Sequence, residues 1–211
     1  MKRRLLVQVV AGIVVLVFAI GIWSTGDTFK PGWLRFLSAA VLVATIALGV
    51  WDRWLWSLPL VQRIPRVPRD VRGTWRGTLT SFWTDPATAE RPDPKIVFLA
   101  IRQSASQLTA VLFTDESSSR SSLASLSDDG TGVSLAYMYL NRPDSRFEHR
   151  SRMHNGSVFL EITGRPASRI RGRYWTDRDS RGELDFDQRK SRTVDDFREA
   201  TMLFAVSATD R

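Results

Sequence analysis

The sequence predicts an all-β domain, an eight-stranded antiparallel up-and-down barrel, preceded by a hairpin of two transmembrane helices. Three observations predict it. The first 56 residues hold two long apolar stretches, residues 71–188 alternate polar and apolar side chains with a period of two, and glycine, asparagine and serine interrupt that alternation about every ten residues. We therefore divide the chain into a helical hairpin (1–56), a basic proline-rich linker (57–70) and a barrel domain (71–211).

The two apolar stretches each have the length of a membrane span. Residues 5–23 contain one polar side chain, Gln8, and residues 33–51 carry one charge, Arg35. A helix of this length crosses the ~30 Å hydrocarbon core. A signal peptide is the alternative for the first stretch, but its apolar region would be shorter, ~7–15 residues, and no small-residue cleavage site follows. Lysine and arginine flank the outer ends of the pair, so the positive-inside rule places both termini and the barrel in the cytoplasm.

Small side chains mark one side of the second apolar stretch. Ala40, Ala44 and Ala47 would let another helix approach closely. Packing within the hairpin is favoured over self-association between chains, because small residues are common in membrane helices.

The clearest strands form the last hairpin. In residues 169–178 arginines alternate with apolar or small residues, and in residues 183–188 carboxylates alternate with Leu184 and Phe186. Acidic side chains then face basic ones on the outer surface, which fixes the register. The predicted strands are 72–81, 95–103, 107–115, 119–127, 131–140, 153–163, 169–178 and one beginning at 183. The alternative is a hairpin turn at Asn155-Gly156 after a ninth strand at 146–154. A closed antiparallel barrel needs an even number of strands, so a bulge or strand start is preferred.

Polar side chains gather at one predicted end of the barrel. In an up-and-down barrel all odd strands end where all even strands begin, so their inward residues meet. Arginine offers bidentate contacts to phosphate and tyrosine a stacking surface, which favours a flat, anionic ligand such as a nucleotide. The alternative is that the tyrosines are core residues and the arginines solvated turn residues. Arg102 and Gln103 form a weaker rival at the opposite end. The candidate ligand-binding residues are Thr114, Ser118, Arg120, Tyr137, Tyr139, Asn141, His154, Tyr174, Thr176 and Arg178.

The composition argues against catalysis and against a metal or cofactor site. The chain has no cysteine and two histidines, His149 and His154, and it lacks GxSxG, P-loop and HExxH motifs. Its formal charge is +8, and 26 of its 30 basic residues are arginine. Many of these arginines lie in the linker or opposite carboxylates, so binding to a DNA or RNA polymer is not expected.

Five segments carry a resemblance to a known family. After the two apolar spans come, in this order, GTWRGTL (73–79), IRQ (101–103), LAYMYLN (135–141), MHNG (153–156) and GRYWTDRDSRGELDF (172–186). With these segments the chain resembles, over nearly its whole length, the two-transmembrane β-barrel effectors of bacterial CBASS antiphage systems.

The resemblance implies a specific function. It implies an avidin-like barrel that binds a cyclic di- or trinucleotide made by a partner nucleotidyltransferase during infection. Binding would drive homo-oligomerisation, after which the helices disrupt the lipid of the inner membrane and cause abortive infection. It also implies a two-pass inner-membrane protein that is not an enzyme and has no cofactor beyond the activating ligand.

Two rival functions stay open at this point. One is a membrane-tethered, lipocalin-like carrier of an apolar ligand, and the other is a structural membrane subunit whose barrel docks another protein. The sequence does not choose the bases or linkage of a cyclic nucleotide, the oligomer number, or the role of residues 193–211, where a short helix over 195–200 is expected.

Overall fold

A computed structural model describes residues 3–25, 34–86, 88–148 and 152–205. The chain forms two compact units. One is Met1–Val67 together with Ser104–Ser106, and the other is Pro68–Gln103 together with Gln107–Arg211. Helices α1 and α2 belong to the first unit, and eight strands and helix α3 belong to the second.

The first unit is helical where the sequence predicts membrane spans. Helix α1 covers Arg3–Thr25 and α2 covers Leu34–Arg53. One stretch among the described residues, Ser38–Ser57, has the length and mean hydropathy, 1.3, of a membrane-crossing helix, and Val10–Ser24 is a shorter apolar helix. The helices are therefore confirmed, whereas a membrane crossing by both of them stays a prediction.

Small residues lie inside this unit. Ala40 and Ala44 are buried, whereas Ala47 is exposed. The expectation that the small residues of α2 pack within the hairpin therefore holds for the first two alanines.

The segment after α2 folds into short turns. Two 3-10 turns, at Leu55–Ser57 and Val61–Arg63, follow the helix. The Asp52 carboxylate accepts hydrogen bonds from the Ser106 amide at 2.8 Å and the Ser104 hydroxyl at 3.2 Å. Residues 55–63 therefore form two short helical turns.

The second unit is a closed eight-stranded antiparallel barrel in which each strand pairs with its sequence neighbours and the last pairs with the first. This confirms the predicted up-and-down topology. The strands are β1 Gly73–Ser81, β2 Lys95–Gln103, β3 Leu108–Phe113, β4 Ser117–Asp128, β5 Val133–Pro143, β6 His154–Thr163, β7 Arg169–Thr176 and β8 Arg181–Lys190.

The segment before β6 contains no ninth strand in its described part. Ser145–Phe147 forms a 3-10 turn, and His154 begins β6. Residues 149–151 of the alternative strand lie outside the described residues. The preferred interpretation of His154-Asn155-Gly156 as a strand start is thus confirmed.

Charged pairs line the outside of the last hairpin, in the predicted register. Arg171 lies opposite Asp185, and Arg173 lies opposite Glu183. Arg169 Nε donates to Asp185 Oδ1 at 2.8 Å. Such exposed pairs contribute only ~0.2–1 kcal/mol each, so they specify strand alignment more than they stabilise the fold.

An apolar core fills the barrel interior. The inward residues Trp75, Leu112, Leu135, Val158, Leu160 and Ile162 are buried in one cluster, with Leu79 and Leu108 packed against it. Trp75 donates from its indole to the backbone oxygen of Val71, at 2.9 Å, and Val71 is itself fully buried. The end of the barrel where the chain enters β1, which we call the lower rim, is therefore closed by the chain's own residues.

An ionic cluster, the base clamp, holds the chain at the lower rim. It consists of Asp70, Arg72 and Arg189. Arg72 binds both carboxylate oxygens of Asp70 at 3.0 Å, and Arg189 donates to Asp70 Oδ1 at 3.2 Å. Burial opposes ionisation of Asp70, but the hydrogen bonds and charge of Arg72 and the charge of Arg189 prevail and lower its pKa below the ordinary value.

Helix α3, Phe197–Ala205, covers part of the outer wall. Its Phe204 stacks on Phe98 of β2 with ring centroids 5.6 Å apart, and Val111 and Phe113 of β3 complete the cluster. The expected short helix at residues 195–200 is therefore present, although it begins later and extends further. Its packing gives residues 194–204 a structural role.

Candidate functional site

The candidate site lies at the upper rim, where odd-numbered strands end and even-numbered strands begin. Along β5 the alternating residues Tyr137, Tyr139 and Asn141 face inward, and all three are buried. Tyr174 of β7, two strands away, joins them and is also buried. All three tyrosines of the chain therefore line one side of the barrel interior, above the apolar core.

Glycines on neighbouring strands make room for two of these rings. Gly156 of β6 is paired with Tyr139, and Gly182 of β8 is paired with Tyr174. A Cβ atom on Gly156 would lie 2.3 Å from Tyr139 Oη, and one on Gly182 would lie 2.6 Å from Tyr174 Cε1. The two rings therefore lie along the wall, each over a glycine, a recognised way to fill the gap beside a strand glycine.

The rings form a path from the rim inward. The His154 ring meets Tyr139 edge-on at 6.5 Å between centroids, and Tyr139 is 6.1 Å from Tyr137. The hydroxyl of Tyr137 is buried and has no hydrogen-bond partner among the described residues. An unpaired buried hydroxyl costs about 1–3 kcal/mol, so this group is a candidate contact for a bound polar molecule.

The tyrosines are neutral phenols near pH 7. Burial raises the pKa of Tyr137 and of Tyr139, and neighbouring tyrosines add to the effect. Burial also raises the pKa of Tyr174, which is hydrogen-bonded to Ser81. These groups therefore offer flat surfaces and neutral hydrogen-bond donors, and none of them is poised as a phenolate nucleophile.

Buried polar groups lie beside the rings. The Ser119 hydroxyl donates to Asn141 Oδ1 at 2.8 Å, and both residues are buried. Asn141 is a predicted site residue, but Ser119 is not. The amide and hydroxyl give this end of the barrel directional hydrogen-bonding groups as well as stacking surface.

Two predicted residues of β4 face the wrong way. Ser118 and Arg120 were expected to point inward, but they flank the buried Ser119 and therefore point outward, and Arg120 is exposed. The reason is a β-bulge between Ser121 and Leu123. Below the bulge the even-numbered Ala124 and Leu126 pack on the core, as expected. One extra residue reverses the inward parity above it.

Two predicted threonines cap turns. Thr114 Oγ1 is within 3.1 Å of the Ser117 hydroxyl, and Thr176 Oγ1 is within 2.8 Å of the Ser180 hydroxyl. Both are half-buried. Their hydroxyls hold the chain reversals at the upper rim, so a direct role in binding stays a prediction.

A guanidinium and an imidazole lie at the outer edge of this end. Arg178 is exposed and donates from Nη1 to the backbone oxygen of Arg152 at 3.1 Å. The same nitrogen lies 3.4 Å from His154 Nδ1. The structure thus brings His154 and Arg178 together, above the tyrosines, as predicted, and their contact with a ligand stays a prediction.

The rival pair at the lower rim is used by the fold. Gln103 donates to the backbone oxygen of Arg69 at 3.0 Å and accepts from the Val71 amide at 3.1 Å. Arg102 lies outside the barrel wall and pairs with Asp195 at 2.6 Å. The two residues therefore do not form a pocket. The described residues also contain no group of three or more acidic or histidine side chains placed to hold a metal ion.

Comparison with known proteins identifies the barrel. Residues 66–188, more than half of the chain, match the family model of the Cap15 cyclic dinucleotide receptor domain. The chain belongs to this family. The match runs from the residues before β1 almost to the end of β8, and so includes the tyrosines and both glycines of the upper rim.

A curated relative extends the likeness beyond the receptor domain. The chain is 25% identical over 183 residues to the CD-NTase-associated protein 15 of Staphylococcus schleiferi, and the alignment covers 87% of this chain and 95% of the relative. The Cap15 match and this relative confirm the resemblance to CBASS effectors. Both point to a non-catalytic sensor.

Proposed function

We propose that this protein is a CBASS effector whose barrel binds a cyclic di- or trinucleotide at the upper rim. The observation that carries the proposal is the convergence of all three tyrosines with the buried Ser119 and Asn141 in a barrel of the cyclic dinucleotide receptor family. A nucleotidyltransferase of the CD-NTase type is the proposed source of the ligand.

The geometry supports one mode of binding. Tyr139 and Tyr174 would stack on the bases, because each aromatic–base contact contributes about 1–3 kcal/mol. Asn141 and Tyr137 would form hydrogen bonds to base edges inside the barrel. Arg178, with its exposed guanidinium, would contact phosphate at the rim, where the ligand's charge remains close to water.

The proposal extends to the membrane. Helices α1 and α2 would anchor both termini and the barrel on the cytoplasmic side of the inner membrane, in contact with its lipids. Ligand binding would favour homo-oligomers, and the assembled helices would disrupt the membrane and cause abortive infection. A ligand drives assembly only if it binds the assembled state better, and ~3 kcal/mol of coupling would raise association more than a hundredfold.

The lipocalin-like alternative has less support. A deep apolar ligand would need space among the inward residues below Tyr137, and there Leu99, Leu135 and Leu160 are fully buried in a continuous core. A structural docking role has no particular observation in its favour.

Calorimetry on the full chain in lipid nanodiscs tests the proposal, with a panel of cyclic di- and trinucleotides. We expect micromolar or tighter binding by at least one member. Arg178→Ala and Tyr139→Ala should each weaken it about tenfold or more. Arg173→Ala, which removes an exposed arginine from the outer face of the same β7 region, is the matched control and should bind normally.

Two results would contradict the proposal. Absence of binding by every member of the panel would remove the receptor function. Unchanged affinity in both Arg178→Ala and Tyr139→Ala, with the barrel still folded, would remove this site. Deletion of residues 1–56 should preserve binding and abolish toxicity in cells, and toxicity that survives the deletion would exclude membrane disruption by the helices.

A further inference from the structure

The connection between β1 and β2 is the longest between neighbouring strands of the barrel, and it lies at the upper rim. It covers residues 82–94, whereas the other connections at this rim cover 114–116, 144–153 and 177–180. Hairpin loops usually have about 2–5 residues, and much longer ones are often functional. The connection begins with two aromatic residues, Phe82 and Trp83, which are exposed by 38% and 42%. Neither belongs to the candidate site described above.

Hydrogen bonds at its start bend the connection inward. The Phe82 amide donates to the Arg181 oxygen at 2.8 Å, so the β1–β8 pairing continues one residue beyond β1. The next amide, that of Trp83, donates to the Ser81 hydroxyl at 3.2 Å. That hydroxyl is also hydrogen-bonded to Tyr174, which is buried inside the barrel. Because Ser81 directs its hydroxyl inward, the Trp83 backbone lies on the inner side of the wall, over the upper end of the barrel interior.

The Trp83 indole starts close to the Tyr174 ring, one of the proposed stacking surfaces. Two successive hydrogen bonds, from Tyr174 to Ser81 and from Ser81 to Trp83, span only about 6 Å. A nucleobase stacked on Tyr174 is therefore within reach of the indole. Among the residues that the structure describes, no ring contacts this indole and no acceptor binds its Nε1. The indole is thus available to contact a ligand.

The charges of the connection suit a base better than a phosphate. It carries one arginine against three carboxylates, those of Asp85, Glu90 and Asp93. Like charges placed together weaken binding, so these carboxylates disfavour phosphate on this side of the rim. Arg178, the proposed phosphate contact, lies instead beside β6, with its Nη1 3.4 Å from His154 Nδ1. An anionic ligand would therefore turn a base toward Trp83 and a phosphate toward Arg178.

We infer that Trp83 is a ligand-contact residue whose indole covers the nucleobase that stacks on Tyr174 and so closes the upper end of the barrel over the bound ligand. The inference rests on the proposed function, because it concerns the same ligand. Stacking tolerates any base, since every base has a π-face, so Trp83 adds affinity without selecting a base. Most affinity differences among variants of one site arise in the dissociation rate, so we expect Trp83 to slow release of the ligand.

Removal of the indole tests the inference by calorimetry on the full chain in lipid nanodiscs. Trp83→Ala should weaken every cyclic nucleotide that the native chain binds by about 5- to 150-fold, and Trp83→Phe, which keeps a ring, should weaken it less. Trp175→Ala is the matched control, because this tryptophan is exposed by 49% on the outer face of β7. The control should bind normally. Thermal unfolding verifies that all three variants fold.

Hydroxyl-radical footprinting read by mass spectrometry tests the contact without a substitution. In the native chain, saturation with the tightest-binding cyclic nucleotide of the panel should remove most of the oxidation of Trp83, because a stacked base excludes water from the indole face. Trp175 is the internal control, and it should be oxidised equally with and without the ligand.

The outcomes separate this inference from the proposed function. Native affinity in a folded Trp83→Ala protein, or equal oxidation of Trp83 with and without ligand, would overturn the inference and leave the receptor function standing. An equal loss of affinity in Trp83→Ala and Trp175→Ala would also overturn it, since the effect would not be specific to the upper rim. Absence of binding by every cyclic nucleotide to the native chain would refute both.

Discussion

Replacement of Gly156 by alanine tests whether the position of the Tyr139 ring determines ligand binding. The new Cβ would lie 2.3 Å from Tyr139 Oη and Cζ, whereas ordinary contact begins at 3.4 Å. The outer end of the ring must therefore move by about 1 Å. Because these atoms are the far end of a side chain, the ring can move without breaking the β5–β6 register, and we expect a stability loss of only about 1–3 kcal/mol.

Ligand affinity should fall by more than partial unfolding of the protein would cause. Displacement of the ring removes up to one aromatic–base stack, about 1–3 kcal/mol, which weakens binding about 5- to 150-fold. Calorimetry of the full chain with the cyclic dinucleotide panel measures the affinity, and near-ultraviolet circular dichroism verifies folding. Gly132→Ala is the matched control, because its Cβ would meet nothing within 4 Å. Wild-type affinity in a folded Gly156→Ala protein would refute the role of Tyr139.

Three further predictions concern single side chains. Tyr137→Phe should stabilise the ligand-free protein by about 1 kcal/mol, since it removes an unpaired buried hydroxyl, and should weaken ligand binding. Thermal unfolding measures the first effect and calorimetry the second. A loss of stability would contradict the assignment of the Tyr137 hydroxyl as unpaired. Asp70→Asn should destabilise the barrel by about 2 kcal/mol in denaturant unfolding, and Asp93→Asn in an exposed loop should not. Because the folded-state pKa of Asp70 is lowered, this contribution is present above the ordinary carboxyl pKa and is lost as pH falls through the folded value, so the two proteins should converge in stability at acidic pH. Phe204→Ala should cost about 3–5 kcal/mol by removing the α3 ring that stacks on Phe98, and an unchanged unfolding midpoint would show that α3 does not stabilise the barrel.

Much of the barrel could be predicted because its strands alternate cleanly. In β7 every outward position is arginine or tryptophan, and the acidic residues of β8 complement the arginines, so hydrophobicity and charge both specify the same register. The inward side of β5 was equally clear, which is why Tyr137, Tyr139 and Asn141 were predicted correctly as inward residues. Where one face of a strand is apolar, the period-two alternation identifies the side chains that point to the inner wall.

The serine-rich strand could not be interpreted in the same way. In β4 serine occupies both faces, so hydrophobicity does not identify the inward side, and the bulge that reverses parity has no glycine to mark it. Ser119 was missed for this reason, and Ser118 and Arg120 were wrongly placed. Gly156 and Gly182 each make room for a tyrosine ring on the neighbouring strand. Which residue lies beside each glycine is known only when the strand register is known.

The bulge in β4 connects two surfaces that would otherwise be independent. One additional residue near Ser122 directs Ser119 into the barrel interior at the upper rim and, on the outer face of the wall, aligns Leu123 with Met138. Exchanging the exposed Ser122 should be tolerated, whereas deleting one residue there would turn polar groups out of the barrel interior and shift the exterior at the same time. Both faces of β4 therefore depend on the number of residues in this strand more than on its chemical composition.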